Sequence, residues 1–259
     1  MLRSFLLRSI ALLAFTAAAS AEEPAKPASR LYELRTYHAE PGKLNALNAR
    51  FREHTTALFT KHGMTNVGYW VPKDNADNLL IYLLSFPDRE ARDKAWKEFG
   101  ADPEWKTVQA TSEAKGKIVG KIESRFLTAT DFSPEPKGAA EGTPHLFELR
   151  TYTATPNNLP LLLSRFREHT LKLFERHGMT NFLYTTPVAG DPGADNTLVY
   201  LLQHASAEAQ VKSWADFRAD PEWVKIKADS DKAGGGSLTV LPDGVKSVLL
   251  VPTDYSPVK

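Results

Sequence analysis

LYELRTYHAEPGKLNALNARFREHTTALFTKHGMTNVGY (31–69) returns as LFELRTYTATPNNLPLLLSRFREHTLKLFERHGMTNFLY (146–184), with 24 identities in 39 positions at a fixed offset of 115. After a three-residue insertion within GDPGADN (190–196) the match resumes at an offset of 118. DNLLIYLL (77–84) then pairs with DNTLVYLL (195–202), and FGADPEW (99–105) with FRADPEW (217–223). Each copy closes on one signature, TDFSP (130–134) and TDYSP (253–257). Between the copies, EPKGAAEGTP (135–144) has the composition of a linker. A unit of about 105 residues is far longer than a solenoid repeat, so the chain reads as one domain written twice.

Within a copy the punctuation is explicit. Leu31–His38 alternates and is rich in β-formers, which predicts a strand, and Pro41-Gly42 is a turn. Leu44, Leu47, Phe51, Leu58 and Phe59 recur at helical spacing, predicting a helix over 43–62 that stops at Gly63. Strands follow at Thr65–Val71 and Leu79–Phe86, separated by a turn at 72–78. A second helical region begins at Pro87–Phe99 and breaks near Gly100. It restarts at Asp102-Pro103-Glu104, where Asp is an N-cap, Pro stands at the first helical position and Glu in the first turn. Ile118–Asp131 supplies the last strand. The order βαββαβ is the split βαβ, or ferredoxin-like, unit of the α+β class. Two helices cover one face of such a sheet and leave the other open. Packing the open faces of two copies together solves this, which predicts an internal pseudo-two-fold relating residues 31–131 to 146–254. The expected organisation is an export signal at 1–21, a first repeat at 22–134, the linker at 135–144 and a second repeat at 145–259.

The 259 residues carry 32 Lys+Arg against 31 Asp+Glu with 42% hydrophobic content, an ordinary globular balance. No basic excess points to nucleic acid. The absence of cysteine excludes disulfides, thiolate metal sites, a cysteine nucleophile and a lipobox anchor. Residues 1–21 place Arg3 and Arg8 before an apolar run from Ile10 to Ala19. Ala19-Ser20-Ala21 follows as a small-x-small cleavage box, the layout of a secretory signal. Export to a periplasm or beyond the cell is expected; a mitochondrial presequence is the alternative, since the segment has arginines and serines and no acid. Without residues 1–21 the charge is 30 minus 31, or −1. No other apolar run is long enough to span a bilayer.

The chain resembles the NIPSNAP family. The resemblance is carried by YELRTY (32–37), Pro41-Gly42, His62-Gly63, Gly68-Tyr69-Trp70, Asp77-Asn78 and Asp102-Pro103-Glu104-Trp105. FELRTY (147–152), His177-Gly178, Asp195-Asn196 and Asp220-Pro221-Glu222-Trp223 repeat it. The second copy departs at Asn157 in place of Gly42, and at Leu183 and Thr185 in place of Gly68 and Trp70. The resemblance implies the dimeric α+β barrel shared with small monooxygenases, haem-degrading proteins and cyclases. It implies no particular reaction.

Glu33, Arg35 and Tyr37 alternate along the first strand and share a face, as do Glu148, Arg150 and Tyr152. The less apolar face is expected to line the space between the sheets. There the two rows would either hold an anionic or polar ligand or form ion pairs that keep the halves in register. Burial of charge demands partners on either reading. His54 and His169, in matching FREHT contexts, sit beside the apolar stripe as possible acid–base groups, although a histidine there is more often a border residue. His62 lies about 12 Å along the helix from His54, too far to share an ion, so no metal site is expected. Asn66, Gly68 and Trp70 are read as one strand face, matched by Asn181, Leu183 and Thr185. The difference between the copies is either a pocket or drift. Trp96, Trp105, Trp214 and Trp223 read as core. Gly234-Gly235-Gly236-Ser237 lacks the Lys of a phosphate loop. The leading expectation is a small ligand bound in the barrel interior without a cofactor. The alternatives are a cofactor-free monooxygenase-like enzyme and a protein-interaction module acting through the outer helices; a homo-oligomer fits any of the three.

Overall fold

The computed structural model describes residues 30–137 and 145–259. The expected export signal and residues 138–144 of the expected linker lie outside the described residues.

The first repeat runs β1 (Leu31–Ala39), α1 (Leu44–Arg50), a π-helical turn (Phe51–Thr55), α2 (Thr56–Lys61), β2 (Thr65–Pro72), β3 (Leu79–Phe86), α3 (Arg89–Ala101), α4 (Pro103–Ser112) and β4 (Val119–Ala129). The second repeats the order with β5 (Leu146–Thr153), α5 (Leu159–Arg165), a π-helical turn (Phe166–Thr170), α6 (Leu171–Arg176), β6 (Thr180–Pro187), β7 (Thr197–His204), α7 (Ala207–Ala219), α8 (Pro221–Ala233) and β8 (Val245–Pro252). The duplication read in the sequence is therefore a duplication of topology. Its departure at Asn157 changes nothing, because Asn157 adopts φ 64° where Gly42 has φ 71°. Asparagine tolerates this left-handed conformation better than most residues.

The one helix expected over 43–62 contains a π turn, and so does its counterpart. Thr55 Oγ1 donates to the Arg50 carbonyl at 3.1 Å and Thr56 Oγ1 to that of Phe51 at 3.2 Å, so both hydroxyls serve carbonyls five residues back. The extra residue shifts the phase of the apolar stripe. Phe51, Thr55, Leu58 and Phe59 all stay buried, and His54 turns out to solvent. Asp102 caps α4 through the Glu104 N–H at 2.8 Å, and its other oxygen meets His62 Nε2 at 2.7 Å. Asp220 does the same with Glu222 and His177. The Asp-Pro-Glu-Trp motif thus pins the start of one helix to the end of another.

The eight strands close into a single barrel in the order β1-β3-β2-β8-β5-β7-β6-β4. The seams between repeats are β2–β8, pairing Trp70 with Pro252 through Pro72 with Leu250, and β4–β6, pairing Leu127 with Pro187 through Ala129 with Thr185. Each repeat has a core between its sheet and its own helices. A third core fills the barrel and draws on both repeats, with Tyr32, Trp70, Leu83 and Leu127 meeting Phe147, Phe182, Leu201 and Leu250.

That interior overturns the expected placement of the charged rows. Tyr32 and Leu34 point into the barrel, so Glu33, Arg35 and Tyr37 point outward under the helices. Glu148, Arg150 and Tyr152 do likewise, against α7. The polar row can face the helices because α3 and α7 carry the groups that satisfy it, and the barrel, enclosed by two sheets, fills with apolar side chains. Among the described residues the two arginines and two tyrosines therefore do not meet in one space between the sheets. Toward one end the interior opens into a depression of about 280 Å³ lined by Leu34, Thr36, Leu149, Thr151, Glu123 and Arg125.

Candidate functional site

Glu33 is fully buried on the outer face of its sheet. It accepts hydrogen bonds from Arg92 Nε and Nη2 and from Trp96 Nε1, all at 2.8 Å, and from Ser124 Oγ at 2.6 Å, and it pairs with Arg35. Burial alone would raise its carboxyl pKa. The Arg92 and Ser124 hydrogen bonds and the charges of Arg35 and Arg92 outweigh that and hold it at about 2. Arg35 completes the array by donating from Nε to the Tyr82 hydroxyl at 2.8 Å and from Nη2 to Tyr37 at 3.4 Å.

The second repeat builds the same array from different parts. Glu148 is fully buried and accepts from Trp214 Nε1 at 2.7 Å, Ser247 Oγ at 2.6 Å and Gln210 Nε2 at 3.3 Å, and it pairs with Arg150. His204 Nε2 lies 2.9 Å from its other partners' oxygen, Oε2. An ionised carboxylate only accepts, so His204 carries its proton on Nε2. Burial opposes ionisation of Glu148, and His204, Arg150, Ser247 and Trp214 overcome it, holding the carboxyl well below the usual range. His204 and Gln210 stand where the first repeat has Phe86 and Arg92. One copy steadies its carboxylate with two arginines, the other with one arginine and a buried imidazole.

Beside each array a cleft opens between the sheet and the helix layer. The first, of about 350 Å³, is lined by Tyr37, Phe51, Phe99 and Trp105, with Arg50, Gln109 and Glu113 among its polar groups. The second, of about 570 Å³, is lined by Arg150, Tyr152, Trp214, Phe217 and Trp223, with Arg218, Val224 and Lys227 at α7 and α8. Arg150 lies 4.2 Å from the Trp214 ring centre and 5.4 Å from that of Tyr152, within cation–π range of both. Its Nε donates to Tyr200 at 2.9 Å and its Nη2 to Tyr152 at 3.1 Å. The floor of the second cleft is thus a fixed cation flanked by aromatic rings.

The other expected site residues separate. A β-bulge between Asn66 and Gly68 puts Asn66 on the helix side, opposite Leu84, while Gly68 and Trp70 face the barrel. The expectation that all three share one face is corrected by that extra residue. Asn66 donates to the Thr56 carbonyl at 3.0 Å and Thr60 Oγ1 at 2.9 Å and accepts from Tyr69; Asn181 does the same with Leu171, Glu175 and Tyr184. Both bind strand to helix. Trp70 is buried against Phe147 at 5.3 Å, with its ring lying over Gly68. The space beside Gly68 is therefore filled by Trp70 itself. His54 and His169 are part-exposed on the outer helix surface beside Glu53 and Glu168. Trp214 and Trp223, expected as core, also line a cleft, and Arg218 and Lys227 beside them were legible only as departures. Arg218 and Lys227 replace Gly100 and Gln109 within otherwise matching helices.

The family model for NIPSNAP matches residues 32–134 and 147–257, one match per repeat. The chain belongs to the NIPSNAP family. Protein NipSnap homolog 3A of Pongo abelii is 25% identical over 100% of this chain and 99% of its own. The human homolog 3A is also 25% identical, covering 88% of this chain and 85% of its own. Among solved structures, a putative monooxygenase from Fusobacterium nucleatum aligns with 87% of this chain and 93% of its own at a TM-score of 0.55 and 10% identity, a likeness of fold. The barrel of this NIPSNAP chain is therefore built from two family domains in one polypeptide, and no helix among its described residues is long and apolar enough to cross a membrane.

Proposed function

We propose that this NIPSNAP chain is an exported protein that binds a small organic ligand in the cleft of its second repeat. The observation that supports this reading is the 570 Å³ space beside Arg150, Tyr152, Trp214 and Trp223. Its size falls in the range of small-molecule sites, and it combines apolar walls with few polar groups. The Glu148 array fixes Arg150 and Tyr152 before any ligand arrives, which lowers the ordering cost of binding. Export rests on the layout of residues 1–21 and predicts a mature chain beginning at Glu22.

The test is native mass spectrometry of protein purified from its own host, beside an Ala228→Trp variant that fills the cleft from exposed helix α8. A retained small molecule that is absent from the variant supports the reading. A molecule held equally by both places the ligand elsewhere. Turnover of the released molecule with uptake of oxygen would favour the cofactor-free monooxygenase alternative. Capture of a stable protein partner by a surface of α7 and α8 away from the cleft would favour the interaction-module alternative. N-terminal sequencing of the product tests export, and a chain that keeps Met1 would remove it.

A further inference from the structure

We infer that the second-repeat cleft selects a flat aromatic ring system bearing negative charge, such as an aromatic carboxylate or sulfonate. This rests on the reading of that cleft as a ligand site, and it follows from charges the array leaves over. Arg150 and Glu148 cancel each other at the floor. Asp231 is shared by two cations, Arg165 Nη1 at 3.1 Å and Lys227 Nζ at 2.6 Å, so one positive charge remains there. Arg218 lines the cleft, is exposed and makes no ion pair among the described residues, which adds a second. None of the lining residues is acidic. An anion entering the cleft therefore meets uncompensated positive charge, in a setting partly shielded from water where its pull exceeds that at an open surface.

The walls define the rest of the ligand. Phe217 and Trp223 lie 4.4 Å apart at 34°, and Trp214 and Tyr152 close the inner side. Val224 is 54% exposed at the mouth, an apolar side chain on an otherwise polar helix surface. Flat aromatic surface fits such walls, and a single rotatable chain does not use them.

The first repeat supplies the internal contrast. At the positions of Arg218, Val224 and Lys227 it has Gly100, Lys106 and Gln109; its own cleft pairs Arg50 with the acid Glu113 and takes its other cations, Lys117 and Lys121, from the sheet side and not from the helices. Duplication gave both copies the aromatic frame. Three substitutions on α7 and α8 gave the second copy alone two of its cleft cations and an apolar lip.

The experiment titrates the full chain with two fluorescent probes of the same ring skeleton, anilinonaphthalene sulfonate and the neutral phenylnaphthylamine. The sulfonate should bind about tenfold tighter or better, a difference of roughly 1.4 kcal/mol. A double variant, Arg218→Gly with Lys227→Gln, which installs the first repeat's residues, should bring the sulfonate to the level of the neutral probe and change the neutral probe's affinity far less. Val224→Glu, which keeps both cations but adds a negative charge at the lip, should weaken the sulfonate more than the neutral probe. Ala228→Trp should weaken both. Equal affinity for the two probes, or a sulfonate affinity indifferent to both charge variants, overturns the selectivity and leaves the cleft standing. Binding of both probes that ignores Ala228→Trp overturns the cleft as the site.

Discussion

Arg52 grips Asp254 with both arms of its guanidinium, Nε to Oδ2 at 2.6 Å and Nη2 to Oδ1 at 2.7 Å, across 202 residues of sequence and the boundary between the repeats. Arg167 grips Asp131 in the same manner in the opposite direction. The aspartates belong to the TDFSP and TDYSP signatures, so each repeat ends by docking its tail on the first helix of the other. Tyr255 completes one dock, 5.4 Å from Tyr69 and 6.3 Å from Phe51, with its hydroxyl donating to Asn48 at 2.6 Å. Phe132 completes the other at 5.7 Å from Tyr184.

The docks should draw their strength from the rings and not from the charges. Both members of the Arg52–Asp254 pair are heavily exposed, and exposed pairs contribute little. Asp254→Asn should therefore shift the urea midpoint only slightly. Tyr255→Ala, which empties a largely buried ring site, should cost about 2–4 kcal/mol. An equal or reversed order of the two variants in urea denaturation would show that the clamp is electrostatic.

The two solutions for the buried glutamate should be exchangeable. His204→Phe removes one donor from the Glu148 carboxylate and should destabilise the chain by about 1–3 kcal/mol. Adding Gln210→Arg rebuilds the arrangement of Phe86 and Arg92 and should recover most of that loss. Thermal melts of wild type, single and double variants measure the coupling. A double variant no better than the single would mean that the copies are not interchangeable at this point.

Acid should find Glu33 late. Its folded carboxyl sits at about 2 against 4.5 for the ordinary group. A lowered folded pKa adds stability that is complete above the unfolded value and is lost as pH falls through the folded one. Stability should therefore decline between about pH 4.5 and pH 2, and Glu33→Gln should flatten that limb. At neutral pH the same variant leaves the buried Arg35 without its counterion, at a cost of about 3–5 kcal/mol, while Arg92 keeps Asp93. Urea midpoints measured across the acid range check both statements.

Gly68 is dictated by Trp70. A Cβ at Gly68 would lie 2.2 Å from the Trp70 ring, so Gly68→Ala should cost about 1–3 kcal/mol. The second repeat holds Leu183 and Thr185 at the same two positions, both buried. Gly68→Leu with Trp70→Thr should thus be far better tolerated than Gly68→Leu alone. Denaturation of the three variants tests it.

Much of the architecture was legible because local rules carry it. The Asp-Pro-Glu helix start, the Gly63 stop and the alternation of Leu31–His38 each rest on contacts a few residues apart, and they hold in both copies. The polar row was legible as a row, since alternation fixes which residues travel together. Which way it points was not. Neither face of β1 is exposed, and a parity argument decides only when one face meets water. The answer depended on Arg92, Trp96 and Ser124, residues 59 to 91 positions away that meet Glu33 only after folding. The bulge between Asn66 and Gly68 escaped for a similar reason, because strand pairing creates it.

The sequence by itself determined the duplication, the βαββαβ order, the family and the pairing of Glu, Arg and Tyr along β1 and β5, because repetition and short-range periodicity are written in the chain. Tertiary structure alone decided that the barrel interior is apolar, that the charged rows lie beneath the helices, that each tail docks on the other repeat, and that Arg218 and Lys227 line a cleft. The physical reason is that burial of charge is settled by which partners come within hydrogen-bonding distance, and those partners are brought together by closure of the barrel and not by their spacing in the chain.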